Sequence, residues 1–292
     1  MSINKQIENE TLKQFATMLN IAEDELKKIL SYYDKGQEEL EQIIFDLYKN
    51  YGSADGEQFY NELKKYNRMS RLDKQIDEVT TTISTGEATL LTALLVKLTS
   101  DSYYRNAYIL EKNLSINTNF KLLRNEIVQT LVDMPIEGLT FSERLYFNQI
   151  KLKQSVKSTL VDGITKGKDI KSMAKSLDEK MTIGRNNAMR ICRTESARVW
   201  YEGQRELWQN TDVVEKLIYI SVLDGKTSEL CRERSGNIYI KGKEPELPAH
   251  PNCRSSYGVY FDDWENKKIL DNQSKQQINY TTYEKWYKEK VK

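Results

Sequence analysis

The chain has 292 residues, with 44 Lys and Arg against 43 Asp and Glu, a net charge of +1, 30% charged residues and 4 prolines. That length can hold two domains and bury a full core without staples, which excludes a mini-protein, and abundant charge with few prolines favours long helices over a β-rich fold. Three cysteines, an odd number, do not build a disulfide framework, so a reducing compartment is expected.

Near-neutrality conceals zoning. Residues 1–143 carry 16 basic against 23 acidic side chains, a balance of −7. Residues 144–205 reverse it with 14 against 6, or +8, and 206–292 hold 14 of each. Such zoning bears on partners rather than on fold. The N-terminus MSINKQIENETLKQF has no apolar signal core, and no stretch is expected to reach the roughly 20 apolar residues of a membrane span.

From Ile3 to about Ser84 the pattern is helical: Leu12, Phe15 and Leu19, then Leu26, Ile29, Leu30 and Tyr33, recur at three- and four-residue steps. Leu40, Ile43, Ile44, Leu47 and Tyr48 form another apolar face, the glycines of residues 52–56 break it, and Phe59, Leu63 and Tyr66 resume it. This predicts a helical hairpin or small bundle. The very apolar run within 86–123 predicts a central packing helix. Met134-Pro135-Ile136-Glu137-Gly138 marks a boundary near 138–141.

Ser142, Glu143 and Arg144 read as the start of a lysine-rich helix, 165–169 as a turn, 170–177 as a short helix and 186–207 as a long one. Ala188, Ile191, Val199, Gly203 and Leu207 take core spacing on the long helix, and Cys192 reads as plain core. Glu195 shares the same stripe. A carboxylate there is costly unless paired, so a structural ion pair with Arg254 or Arg144 is expected. Lys151, Lys153, Lys157, Lys166, Lys168, Lys171, Lys175 and Lys180, with Arg185, Arg190 and Arg193, are the strongest electrostatic feature. They form either a solvated helix face or a non-specific phosphate surface, with Tyr146, Phe147 and Trp200 near enough in sequence to stack on bases.

Residues 217–222 are β-branched and aromatic and end at Asp224-Gly225, a strand entering a turn. Thr227 is placed to cap a short helix carrying Cys231, Gly236 to give its left-handed exit, and residues 238–240 to return as a second strand. Pro245, Pro248 and Pro251 then bring His250 and Cys253 round to a third strand near Val259-Tyr260-Phe261. The fold class is therefore mainly α with a small β-hairpin module (α+β) in the C-terminal third. Residues 263–292 read as a polar tail with Tyr280, Tyr283, Trp286 and Tyr287 on a last helix.

Cys231, His250 and Cys253 are soft ligands, and three readings stand for them. They can hold a structural zinc with Asp224 or water as fourth ligand, pack as two buried thiols against a hydrogen-bonded imidazole, or join as a disulfide after assembly. A Cys231/His250 nucleophilic pair is a fourth reading, although no oxyanion loop or orienting third group is legible. GxxxxGK[ST], HExxH and GxSxG motifs are absent from the sequence.

The line Asp224-x-x-Thr227-Ser228-x-x-Cys231, Ser235-Gly236-x-x-Tyr239 and His250-Pro251-Asn252-Cys253-Arg254 resembles the C-terminal motif of the phage Mu F-like minor head (head morphogenesis) proteins. Ser142-Glu143-Arg144-Leu145-Tyr146, the segment 163–170 and Arg193-Thr194-Glu195 fall in that family's order, so the resemblance runs from about 140 to 262. Ser228 stands where many relatives place the first cysteine of a C-x-x-C pair, and Tyr146 where an aromatic, often Trp, is usual. The resemblance implies a minor capsid protein of a tailed bacteriophage, inside the head of the virion and in the host cytoplasm during assembly. It would act in head morphogenesis or DNA delivery rather than as an enzyme. Its partners would be the portal, the scaffold or major capsid protein, and double-stranded DNA without sequence preference, with no membrane. Residues 1–138 would then be an acidic, helical partner-docking domain, 142–262 the Mu F-like domain and 263–292 a polar helical tail. Some relatives carry a toxin enzyme behind this domain, for which ~30 residues are too few. The rival reading is a metal-dependent nuclease or cysteine hydrolase centred on Cys231, His250 and Cys253. Zinc is the one candidate cofactor.

Overall fold

The apolar positions that recur from Ile7 to Ile44 lie on a single helix, α1 (Ile3–Tyr51), rather than on the separate helices of a small bundle. The computed structural model describes residues 2–52, 55–114, 118–262 and 282–292. A short helix α2 (Gly56–Lys64) follows the glycine break, its first turn capped by the Asp55 carboxylate, which accepts from the Glu57 and Gln58 amides. A 3₁₀ turn at Lys65–Asn67, with Tyr66 at φ 53°, leads into α3 (Arg68–Leu114). Then come α4 (Asn125–Val132), α5 (Phe141–Thr165) and α6 (Ile170–Gln209), so the two helices expected at 170–177 and 186–207 are one. Gly184 does not break α6: an added Cβ would stand 2.9 Å from the Tyr33 ring and 3.2 Å from Leu152, so the small residue serves close packing instead.

The residues divide into two compact units. One comprises Met1–Glu23, Ala93–Met134 and Arg193–Lys292; the other comprises Asp24–Thr92 and Pro135–Cys192. Residues 1–138 and 142–262 each contribute to both, so the sequence boundary near 138–141 does not separate compact bodies. The reason is helix length: α1, α3 and α6, at 49, 47 and 40 residues, each run past the end of one core.

In the second unit Leu26, Ile29, Leu40, Phe59, Leu63, Leu72, Ile76, Leu152, Val156, Leu160, Met173 and Leu177 are buried. Thr140 and Glu143 form a reciprocal capping box that starts α5 one residue before Ser142. At Gly163 an added Cβ would lie 1.9 Å from the Met173 sulfur, so a larger residue there would have to push that side chain aside.

The first unit holds the sheet. Strands β1 (Lys216–Ser221), β2 (Ile238–Ile240) and β3 (Ser255–Tyr260) are antiparallel in the order β2-β1-β3, with Leu217 opposite Val259, Tyr219 opposite Tyr257 and Ser221 opposite Ser255. The helix α7 (Glu229–Arg234) interrupts the β1–β2 hairpin, and Gly236 leaves it at φ 89°, as the sequence implied. Its cap is Ser228, which accepts from the Cys231 amide, and not Thr227, whose hydroxyl turns back to Asp224 and the Val222 carbonyl. The last helix, α8 (Tyr283–Lys290), is no polar tail: Trp286 is wholly buried, and its indole donates to Glu111 at 2.7 Å. Residues 263–281, Tyr280 among them, lie outside the described residues. One stretch within Gly56–Leu114 is long and apolar enough to cross a membrane by composition, against the expectation of none. Leu91, Leu94, Leu95 and Leu98 on it are buried within the protein.

Candidate functional site

The period-two alternation of β1 puts Leu217, Tyr219 and Ser221 on one face, and β3 continues that face with Ser255, Tyr257 and Val259. Cys231, two residues into α7, lies against it: the Tyr219 hydroxyl is 3.3 Å from its sulfur, and Ser221 donates to its carbonyl at 3.0 Å. The proline-rich loop, with a cis Leu247–Pro248 peptide, delivers His250 and Cys253 to the same place. Cys231 Sγ stands 3.2 Å from His250 Nε2 and 3.8 Å from Cys253 Sγ, and the three donor atoms lie within 4.8 Å of one another. The convergence expected of these residues is present, and both thiols are reduced.

Burial alone would raise the Cys231 thiol. Hydrogen bonding with Ser228, Ser255, Tyr219 and His250 outweighs it and brings the group down to about 7. Burial, followed by the neighbouring Cys231 charge, pushes Cys253 up. His250 Nδ1 donates to the Pro251 carbonyl at 2.9 Å, because a carbonyl can only accept, and this turns the Nε2 lone pair toward the thiols. Ser228 Oγ reaches the same nitrogen at 2.8 Å.

Asp224 is not part of the cluster. Its carboxylate is held by Arg254 in a two-toothed pair, at 2.7 Å for Nη1 to Oδ2, and it also accepts from the Lys226 amide. The Arg254 hydrogen bonds are the largest cause keeping that carboxyl well below its usual range. Of the two arginines expected to face Glu195, Arg254 is spent on Asp224. Arg198, three residues on, pairs with Glu195 at 2.6 Å, both side chains being buried. Arg144 donates to the Ile136 carbonyl. The sequence reading missed Arg198, although its i,i+3 spacing from Glu195 was legible. It also missed that Thr194 accepts the Asn252 amide at 3.0 Å, which ties the Arg193-Thr194-Glu195 motif to the His250–Cys253 loop. Nothing in a single sequence signals a contact across 58 residues.

The basic side chains of the second unit are partly neutralised. Lys157 pairs with Asp73 at 2.8 Å, Lys153 with Asp77, and Arg185 with Asp34 at 3.0 Å. Arg190 is exposed and reaches Asn187. Lys168, with Nζ near Ser176, is also exposed, as are Lys151, Lys166, Lys171 and Lys175; all of these except Lys151 surround the turn between α5 and α6. Tyr146 and Phe147 are exposed, but Trp200 is buried against Phe15 and cannot stack on a base.

Residues 154–257, which include the basic turn, the Glu195–Arg198 pair and the whole Cys/His cluster, match the family model described as Phage Mu protein F like protein. The chain is also 27% identical to minor head protein GP7 of Bacillus phage SPP1, over 98% of both chains. Over residues 154–257 the chain is thus similar to the phage Mu F-like proteins, and over nearly its whole length to a minor head protein. A second relative is NAD(+)–arginine ADP-ribosyltransferase EFV of Enterococcus faecalis, 25% identical over 67% of this chain and 44% of that protein. No solved structure matches the chain.

Proposed function

We propose that this chain is a minor component of a tailed-phage head, built into the capsid and acting in head morphogenesis. The observation that carries the reading is the end-to-end similarity to a minor head protein, 98% of each chain, rather than a match confined to one segment. We further propose that the acidic residues of 1–138 dock on the portal, the scaffold or the major capsid protein, and that the exposed cations at the α5–α6 turn face packaged DNA. Assembly would occur in the host cytoplasm, with the protein ending inside the virion.

The function proposed is structural and not catalytic. The similarity to an ADP-ribosyltransferase spans less than half of that relative, which weakens transfer of its activity. The 3.2 Å approach of Cys231 to a carbonyl-oriented imidazole is what a cysteine hydrolase needs, but Cys231 is 2% exposed and offers a substrate no access.

The test is co-sedimentation of the full-length chain with procapsids assembled with and without portal. Retention only on portal-containing shells is expected. Retention on neither kind, or measurable transfer of ADP-ribose from NAD to an arginine analogue that Cys231→Ala leaves intact, would overturn the structural reading.

A further inference from the structure

We propose that Cys231, Cys253 and His250 bind one zinc ion, an inference independent of the role in the phage head. Two thiolates bound to a tetrahedral zinc at about 2.3 Å sit about 3.8 Å apart, which is the Cys231–Cys253 Sγ separation of 3.8 Å. The imidazole is already in the ligating tautomer. Its Nδ1–H is held by the Pro251 carbonyl at 2.9 Å, the outer contact that zinc-bound histidines characteristically make, so Nε2 presents its lone pair to the sulfurs. The 3.2 Å contact between Cys231 Sγ and Nε2 is the metal-free arrangement, a thiol proton donated to nitrogen. Zinc takes that proton's place and widens the contact to about 3.5 Å, the edge between a sulfur and a nitrogen ligand.

Binding is balanced without any redox change: the ion and two thiols give a bis-thiolate zinc and release two protons to solvent. A neutral hydroxyl is a weak ligand, so the fourth position goes to a water hydrogen-bonded to Ser228, whose Oγ stands 2.8 Å from Nε2. The ligands come from a six-residue helix and from the loop before β3, so the ion joins two segments that the short sheet alone holds weakly.

The test is titration of the reduced full-length chain with cobalt(II) as spectroscopic stand-in, followed by displacement with zinc. One equivalent with thiolate-to-metal charge transfer and tetrahedral ligand-field bands is expected. Cys231→Ser and Cys253→Ser should each lose more than about a hundredfold in affinity, beyond the 10–100-fold that losing an outer contact costs. Cys192→Ser should bind as the parent does. Ser228→Cys, which adds a thiolate at the fourth position, should tighten binding at least about tenfold. Absence of thiolate charge transfer in the folded parent would overturn the proposal whatever the variants do. So would an equal loss in Cys192→Ser, or zinc bound equally well by His250→Gln.

Discussion

Arg198 closes the C-terminal end of α4 while pairing with Glu195. Its Nε donates to the Glu195 carboxylate at 2.6 Å, and its two terminal nitrogens donate to the Leu131 and Val132 carbonyls, each also at 2.6 Å. Those are carbonyls that a helix end leaves without partners, so one planar guanidinium satisfies a buried carboxylate and two backbone acceptors together. Arg198→Ala should destabilise the first unit by about 3–5 kcal/mol, the usual cost of stranding one member of a buried pair. Arg198→Lys should rescue little, since an ammonium lacks the fork. Urea denaturation followed by tryptophan fluorescence checks both.

Trp286 is a second tether. Glu111, wholly buried, accepts from the Trp286 indole at 2.7 Å and from the Thr118 amide at 2.9 Å. Trp286→Ala should cost about 3–5 kcal/mol, the range for deleting a large buried aromatic. Trp286→Phe should cost about 1–3 kcal/mol, because it keeps the ring but removes the donor from a buried carboxylate. A Trp286→Phe variant as stable as the parent would show that the indole hydrogen bond contributes nothing.

Stability should depend on pH through Glu87. Burial pushes this carboxyl up to about 7, and the opposing hydrogen bond from Tyr33, at 2.8 Å, does not offset it. The folded chain therefore holds a proton that the unfolded chain releases at its ordinary value of 4.5. The contribution is fully present below pH 4.5 and declines as pH rises to about 7, by about 3 kcal/mol at 1.36 kcal/mol per unit. Glu87→Gln should remove that decline, seen as a flatter curve of melting temperature against pH between 4.5 and 7.

If the α5–α6 turn meets DNA, affinity should fall with salt by about 0.9 in log K per log salt for each phosphate contacted. Replacing Lys166, Lys171 and Lys175 by Glu should abolish binding at ~50 mM salt, where screening is weak. Replacing Lys153 and Lys157 should matter less, since Asp77 and Asp73 already hold them. Fluorescence anisotropy with unrelated duplexes checks the slope and the lack of sequence preference.

Local features of this chain were legible in its sequence because their causes are local. The repeats of Leu26, Ile29 and Tyr33, the helix start near Ser142, the glycine exit at 236 and the alternation of 217–221 each rest on interactions within a few residues. Convergence of Cys231, His250 and Cys253 was legible too, because prolines restrict the loop that returns the last two. Tertiary structure alone decided that Arg254 holds Asp224, that Asp73, Asp77 and Asp34 neutralise three of the expected DNA-facing cations, and that Trp286 is core. Each of these depends on which element packs beside which. Opposite charges attract at any sequence separation, so the pattern along a chain cannot say which partner arrives first in space.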